Sequence, residues 1–179
     1  MLVNMSALNR RHKSPSLALT HEIHARLFTV GYEGLQSMEF IQKLHQNKVA
    51  VLIDVRRNPI SRKKGFSKTA LSQRLLVEGI DYFHFPSLGI ESELRRSLSG
   101  PADYQELFSF YRSNRLPQAV NEVARIQSLL AQFGNAALLC FERDHHFCHR
   151  HSLAQFAFDK GIHLSPSIQR CIAGCLTLR

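Results

Sequence analysis

The side chains most able to do chemistry crowd into one stretch, Cys140-Phe141-Glu142-Arg143-Asp144-His145-His146-Phe147-Cys148-His149-Arg150-His151. An apolar run precedes it and an amphipathic one follows, so it reads as strand end, loop and helix start. A helix from about Cys148 to Lys160 puts Cys148, His149 and Arg150 in its first turn, where free amides attract anions and lower a thiol's pKa. Cys148 is thereby a candidate nucleophile, with His149 or Glu142 as base and Arg150 holding the anion. The plainer alternative is a cysteine that packs inward while the turn supports a phosphate. Glu142, His145, His146, Cys148 and His149 also have donor atoms for a metal, but their spacing fits no standard zinc pattern, and no metal ligand is assigned. His151 is expected to face solvent.

Two other segments carry polar groups at the end of an apolar run. Asp54-Val55-Arg56-Arg57-Asn58-Pro59 closes the run AVLIDV. An acid at such a tip suits a hydrogen-bonding or cation-binding role. Two arginines beside it suit phosphate, which a guanidinium grips by two bonds. The alternative is an internal Asp54–Arg56 pair that orders the loop. Gly31-Tyr32-Glu33-Gly34 closes the run before it, and its glycines suggest a turn holding Glu33 at the sheet edge. The candidate catalytic set is therefore Glu33, Asp54, Glu142, Cys148 and His149. The candidate phosphate or substrate contacts are Tyr32, Arg56, Arg57, Arg95 and Arg150.

Some chemistries are disfavoured. Cysteine-based phosphatases need an arginine six positions after the cysteine, and here those positions hold His146 and Ala154. There is no P-loop lysine motif and no G-x-G-x-x-G, so no dinucleotide cofactor is expected. A divalent metal held by the carboxylates is compatible with the pattern.

The elements that must position these groups alternate between strand and helix. Strands are expected at Leu27–Val30, Ala50–Val55, Ile80–Phe85 and Ala136–Phe141, with an edge strand at Ile162–Leu164. Ser37 is the expected cap of a helix with Phe40, Ile41 and Leu44 inward. Ser67 caps a second, with Leu71 and Leu75 inward and Gly79 as its stop. Short helical pieces follow around Glu91–Leu98 and Tyr104–Tyr111. Pro117 opens a longer helix lined by Val120, Val123, Ile126, Leu130 and Phe133. The last helix turns Leu153, Phe156 and Ala157 inward. Such alternation predicts a three-layer, Rossmann-like α/β fold: a mostly parallel sheet of four or five strands with helices on both faces. Ligands of such sheets bind beyond the carboxyl ends of the strands, so the polar tips should share one cleft.

The chain's 179 residues suit a single domain, expected over residues 26–165, between a disordered extension (1–25) and a loose tail (166–179). Its four cysteines are too sparse for a disulfide framework, which favours a reducing, cytoplasmic setting. No apolar run approaches a membrane span, so no membrane partner is expected. The net charge of +9, with Arg56, Arg57, Arg62, Lys63, Lys64 and Lys68 in one segment, favours an anionic ligand, a nucleotide or nucleic acid. A solvated loop is the alternative for that segment.

At these residues the chain resembles the uncharacterised, mainly bacterial family called domain of unknown function 488. The matching pieces are Thr29-Val30-Gly31-Tyr32-Glu33-Gly34, Leu52-Ile53-Asp54-Val55-Arg56-Arg57-Asn58-Pro59 and Ser61-Arg62-Lys63-Lys64-Gly65-Phe66-Ser67. Leu88-Gly89 with Glu93-Leu94-Arg95, and the block from Leu139 to Arg150, complete them. They fall in the family's order over about Leu27 to Lys160. The resemblance implies an α/β fold and a site built from Glu33, Asp54, Arg56, Glu142, Cys148, His149 and Arg150. It supplies no reaction. Members are sometimes labelled DNA-repair proteins, which lends weak support to a nucleic-acid link.

The leading expectation is a small enzyme acting on a phosphate-bearing ligand. The rivals are a non-catalytic nucleic-acid-binding module and a thiol-based redox sensor using Cys148.

Overall fold

A computed structural model describes residues 25–96 and 98–161. The expected edge strand at Ile162–Leu164, most of the expected N-terminal extension, and the tail with Cys171 and Cys175 lie outside the described residues. Within them, four parallel strands form one sheet: β1 (Leu27–Gly31), β2 (Val51–Asp54), β3 (Asp81–His84) and β4 (Ala136–Cys140). The spatial order is β1-β4-β2-β3. Helices α1 (Ser37–Gln46) and α2 (Lys68–Val77) connect β1 to β2 and β2 to β3. Helices α3 (Ser92–Arg95), α4 (Pro101–Phe110) and α5 (Val120–Phe133) lie between β3 and β4, and α6 (His149–Asp159) follows β4.

Strand period decides which core each residue joins. Val51, Ile53, Val55, Ala136 and Leu138 pack with Val123, Ile126 and Leu130 of α5 and Leu153, Ala154 and Ala157 of α6. Leu52, Ala137 and Leu139 point the other way and pack with Phe40, Ile41 and Leu44 of α1 and Leu71 and Leu75 of α2. The fold is therefore α/β in three layers. β2 and β4 are buried at every residue, as continuous apolar runs require when both sheet faces are covered. Among the described residues no helix is long and apolar enough to cross a membrane.

Three local expectations change. Gln36, not Ser37, is the N-cap of α1, because the Glu39 carboxylate reaches back to the Gln36 amide at 2.7 Å and satisfies it without a hydroxyl. Pro117 lies in a 3₁₀ turn (Leu116–Ala119) ahead of α5. That turn supplies Leu116 and Ala119 to the core, and Val120 is left 46% exposed. Cys148 is the N-cap of α6 with extended dihedrals, rather than a residue of its first turn.

Candidate functional site

The topology gathers the strand tips. The chain leaves β1 and β2 toward α1 and α2 on one face, but leaves β4 toward α6 on the other. β4 sits between β1 and β2, so a crevice opens over its carboxyl end. A cleft of about 480 Å³ lies there, lined by Tyr32, Arg56, Arg57, Asn58, Ile60, Ser61, Arg62, Lys63, Ser92, Arg95, Cys140, Phe141 and Glu142.

Its rim is fixed by close backbone approach. A Cβ on Gly31 would lie 1.8 Å from the Glu142 carbonyl oxygen, so only glycine lets the chain after β4 cross the end of β1. Gly89 does the same for the β2 loop, where a Cβ would lie 2.2 Å from the Arg57 nitrogen. The Glu33 amide donates to the Phe141 carbonyl, and the Arg143 amide donates to a Glu33 carboxylate oxygen, both at 2.9 Å. Glu33 thus staples the tips of β1 and β4 and stays exposed beside the cleft.

Beneath the cleft, Asp54 and Arg56 form a buried two-point pair. Arg56 Nε and Nη2 donate to the two carboxylate oxygens at 2.9 and 2.5 Å, while Nη1 donates to the Tyr32 hydroxyl at 3.0 Å and the Phe66 carbonyl at 2.9 Å. The Tyr82 hydroxyl donates to Asp54 at 2.6 Å. Burial pulls the Arg56 pKa down, but Asp54 and Tyr32 outweigh it and hold the guanidinium firmly charged. Burial, reinforced by the Asp54 charge, pushes the Tyr82 hydroxyl well above its ordinary range. The Tyr32 ring stacks on Phe66 at 4.4 Å and meets Phe141 edge-on at 5.3 Å, so the pair is roofed by aromatics.

The remaining cleft cations are less committed. Arg57 donates to the Pro86 carbonyl at 3.3 Å and lies 3.8 Å from Glu91. Arg95 Nη1 donates to Glu142 Oε1 at 2.8 Å. Arg62 and Lys63 make no ion pair among the described residues. Arg150 lies outside the cleft wall. Its fully buried guanidinium donates to the carbonyls of Glu142 at 2.7 Å and Arg143 at 3.2 Å, which knots the loop between β4 and α6.

A second cluster sits behind the wall. His149 Nδ1 is 3.9 Å from both the Cys140 and Cys148 sulfurs, and Nε2 lies 3.2 Å from the Val55 carbonyl. Burial pushes the Cys148 thiol well above its ordinary pKa. Burial also pushes Glu142 up, but the two thiols, its own backbone and Arg95 outweigh that and hold its carboxyl below the ordinary range. Farther along, His145 packs on His146 at 3.7 Å between ring centroids and on His151 at 5.1 Å. His151 is half-buried there rather than fully in solvent.

The structure thus brings Tyr32, Asp54, Arg56, Arg57, Arg95 and Glu142 to one region. It sets Glu33 on the rim, and buries Cys148, His149 and Arg150 behind the wall. Tyr82 and Cys140 join the site without having been singled out. Strand parity is the signal for both: Tyr82 is on the Asp54 side of its sheet neighbour, and Cys140 shares the face of Leu138.

A family model described as domain of unknown function DUF488 matches residues 36–157. The chain belongs to this family. The matched span takes in every element from α1 to most of α6, and leaves β1 and Glu33 ahead of it. No curated protein and no solved structure matches the chain.

Proposed function

We propose that this DUF488 protein captures a phosphate-bearing ligand of nucleotide size in the cleft over β4. The observation that carries the proposal is the convergence of Arg57, Arg62, Lys63 and Arg95 on a concave wall whose one carboxylate, Glu142, is already paired with Arg95. Guanidinium groups hold phosphate by paired hydrogen bonds, and crowding more cations than carboxylates on one wall favours an anion between them. Phe141 is 43% exposed at the same wall and presents a ring on which a base can stack. The volume falls in the range of small-molecule sites. Asp54 is engaged by Arg56 and Tyr82, Glu33 by the Arg143 amide and Glu142 by Arg95, which favours capture of the ligand over proton transfer to it.

A nucleic-acid strand is the second reading. Lys64 and Lys68 are exposed on the segment that continues from Arg62 and Lys63, so the positive surface extends past the cleft.

The experiment is a titration with a nucleoside monophosphate, a nucleoside triphosphate and a short single-stranded oligonucleotide, each at two salt concentrations. Capture predicts binding that weakens with salt and falls about tenfold or more in Arg62→Ala/Lys63→Ala. Tight binding of the oligonucleotide alone supports the second reading. No binding by any of the three, or binding indifferent to salt, overturns both.

A further inference from the structure

Cys140 ends β4, Cys148 caps α6 and His149 opens it, and their donor atoms all lie within 4.8 Å of one another. All three residues are buried. The Val55 carbonyl can only accept, so the facing His149 Nε2 carries the ring proton. That leaves the Nδ1 lone pair directed at two sulfurs, each 3.9 Å away. Glu142 neighbours both thiols, and while its Oε1 is taken by Arg95, its buried Oε2 has no donor at ordinary hydrogen-bond distance, the thiols beside the carboxylate being weak donors. A buried carboxylate oxygen with only weak donors near it is costly, and two thiols gathered around a bare imidazole nitrogen are a ligand set for a cation.

We propose that Cys140, Cys148 and His149 form a zinc site, with the Glu142 carboxylate beside the thiols as the candidate fourth ligand. Thiolate, imidazole and carboxylate are the donors zinc takes in four-coordinate sites. With zinc–sulfur and zinc–nitrogen bonds of about 2.3 and 2.0 Å, tetrahedral ligands sit about 3.6 Å apart. The present 3.9 Å spacings therefore need to close by only a few tenths of an ångström. Supporting contacts of the kind that orient metal ligands are in place: the Val55 carbonyl fixes the His149 tautomer, Arg95 holds the carboxylate, and the Tyr111 ring meets His149 edge-on at 5.6 Å. Charges balance. Each thiol loses its proton to solvent on binding, two thiolates neutralise Zn²⁺, and Arg95 offsets Glu142.

The spacing hides the site from sequence inspection, because the two cysteines lie on either side of a seven-residue excursion and meet only through the fold. Cys140 and Glu142 also line the cleft, so the ion would sit in its wall. The assignment goes beyond phosphate capture and does not require it.

The test is a Co²⁺ titration of the reduced full chain, followed by displacement with Zn²⁺. One equivalent of Co²⁺ with thiolate-to-cobalt charge-transfer absorption is expected. It should persist in Cys171→Ser/Cys175→Ser and vanish in Cys140→Ser/Cys148→Ser, and zinc should raise the melting temperature of the wild type and of the tail variant alike. Absence of the charge-transfer band in the wild type overturns the site. So does a band lost in the tail variant, which would move the metal to Cys171 and Cys175. Both of these readouts come from proteins with an intact core, so they decide the matter even if the Cys140/Cys148 variant fails to fold. Loss of metal binding with nucleotide binding retained would remove this inference alone.

Discussion

The carboxylate of Asp54 and the guanidinium of Arg56 face each other through two hydrogen bonds, at 2.9 and 2.5 Å, in a setting that leaves Asp54 fully buried and Arg56 6% exposed. Breaking such a pair leaves a buried charge without compensation, at a cost of about 3–5 kcal/mol. Asp54→Asn should destabilise the protein by that order in urea unfolding. Asp54→Asn/Arg56→Met, which removes the stranded charge, should recover part of the loss. A single variant as stable as the wild type would show that the pair is dispensable.

Gly31 and Gly34 should respond differently to alanine. At Gly31 the obstacle is the Glu142 carbonyl, and backbone cannot swing aside as a side chain can. Gly31→Ala should cost about 1–3 kcal/mol or more and weaken cleft binding, since the Phe141–Glu142 segment must shift. At Gly34 the surroundings are open and only the positive φ of 79° opposes a side chain. Gly34→Ala should cost about 1 kcal/mol and spare binding. Equal losses in both would refute the distinction.

His145 sets a pH dependence. Burial first, then the neighbouring His146 and His151, with Arg150 adding and Asp144 opposing, lowers its pKa from 6.5 to about 4. As pH falls, the unfolded chain takes up the proton before the folded one does. Stability should therefore decline from about pH 6.5 and level off, for this group, below about pH 4. His145→Gln should flatten that decline relative to the wild type in denaturant titrations at several pH values. Parallel curves for the two proteins would exclude His145 as the source.

The cations of the β2 loop should act additively if they meet phosphate. Arg62→Ala and Lys63→Ala should each lower the slope of log affinity against log salt by about one for a bound oligonucleotide. Asp81→Ala, on an exposed carboxylate at the opposite, amino-terminal end of β3, should leave the slope unchanged. A slope unaffected by the loop variants would place the contact elsewhere.

Much of the architecture is legible in the chain. The run Val51–Asp54 announces a strand covered on both faces, and all four residues are buried. Gly79 and Gly134 stop helices where their positive φ allows the turn. The sheet order is not legible, because it depends on β4 entering between β1 and β2, a choice no local signal records. The site is legible in part for the same reason. The residue types at the strand tips are visible in one dimension, and the pairing of Asp54 with Arg56 is visible as an alternative to phosphate binding. The Tyr82 bond to Asp54 follows from the β2–β3 register, which pairs Leu52 with Tyr82 and Asp54 with His84. The inward turn of Arg150 depends on carbonyls exposed by the loop it caps, and composition carries no trace of those.

The late position of β4 in the chain also governs how the molecule must assemble. Among the described residues, until 136–140 have been synthesised β1 has no strand beside it and β2 has one bare edge. The nascent chain can dock the β2–β3 pair with α2, but β1 waits for β4. Joining distant segments is slow, and unpaired edges invite association with other chains. A protein of this topology completes this four-stranded sheet and the cleft over β4 in the same step.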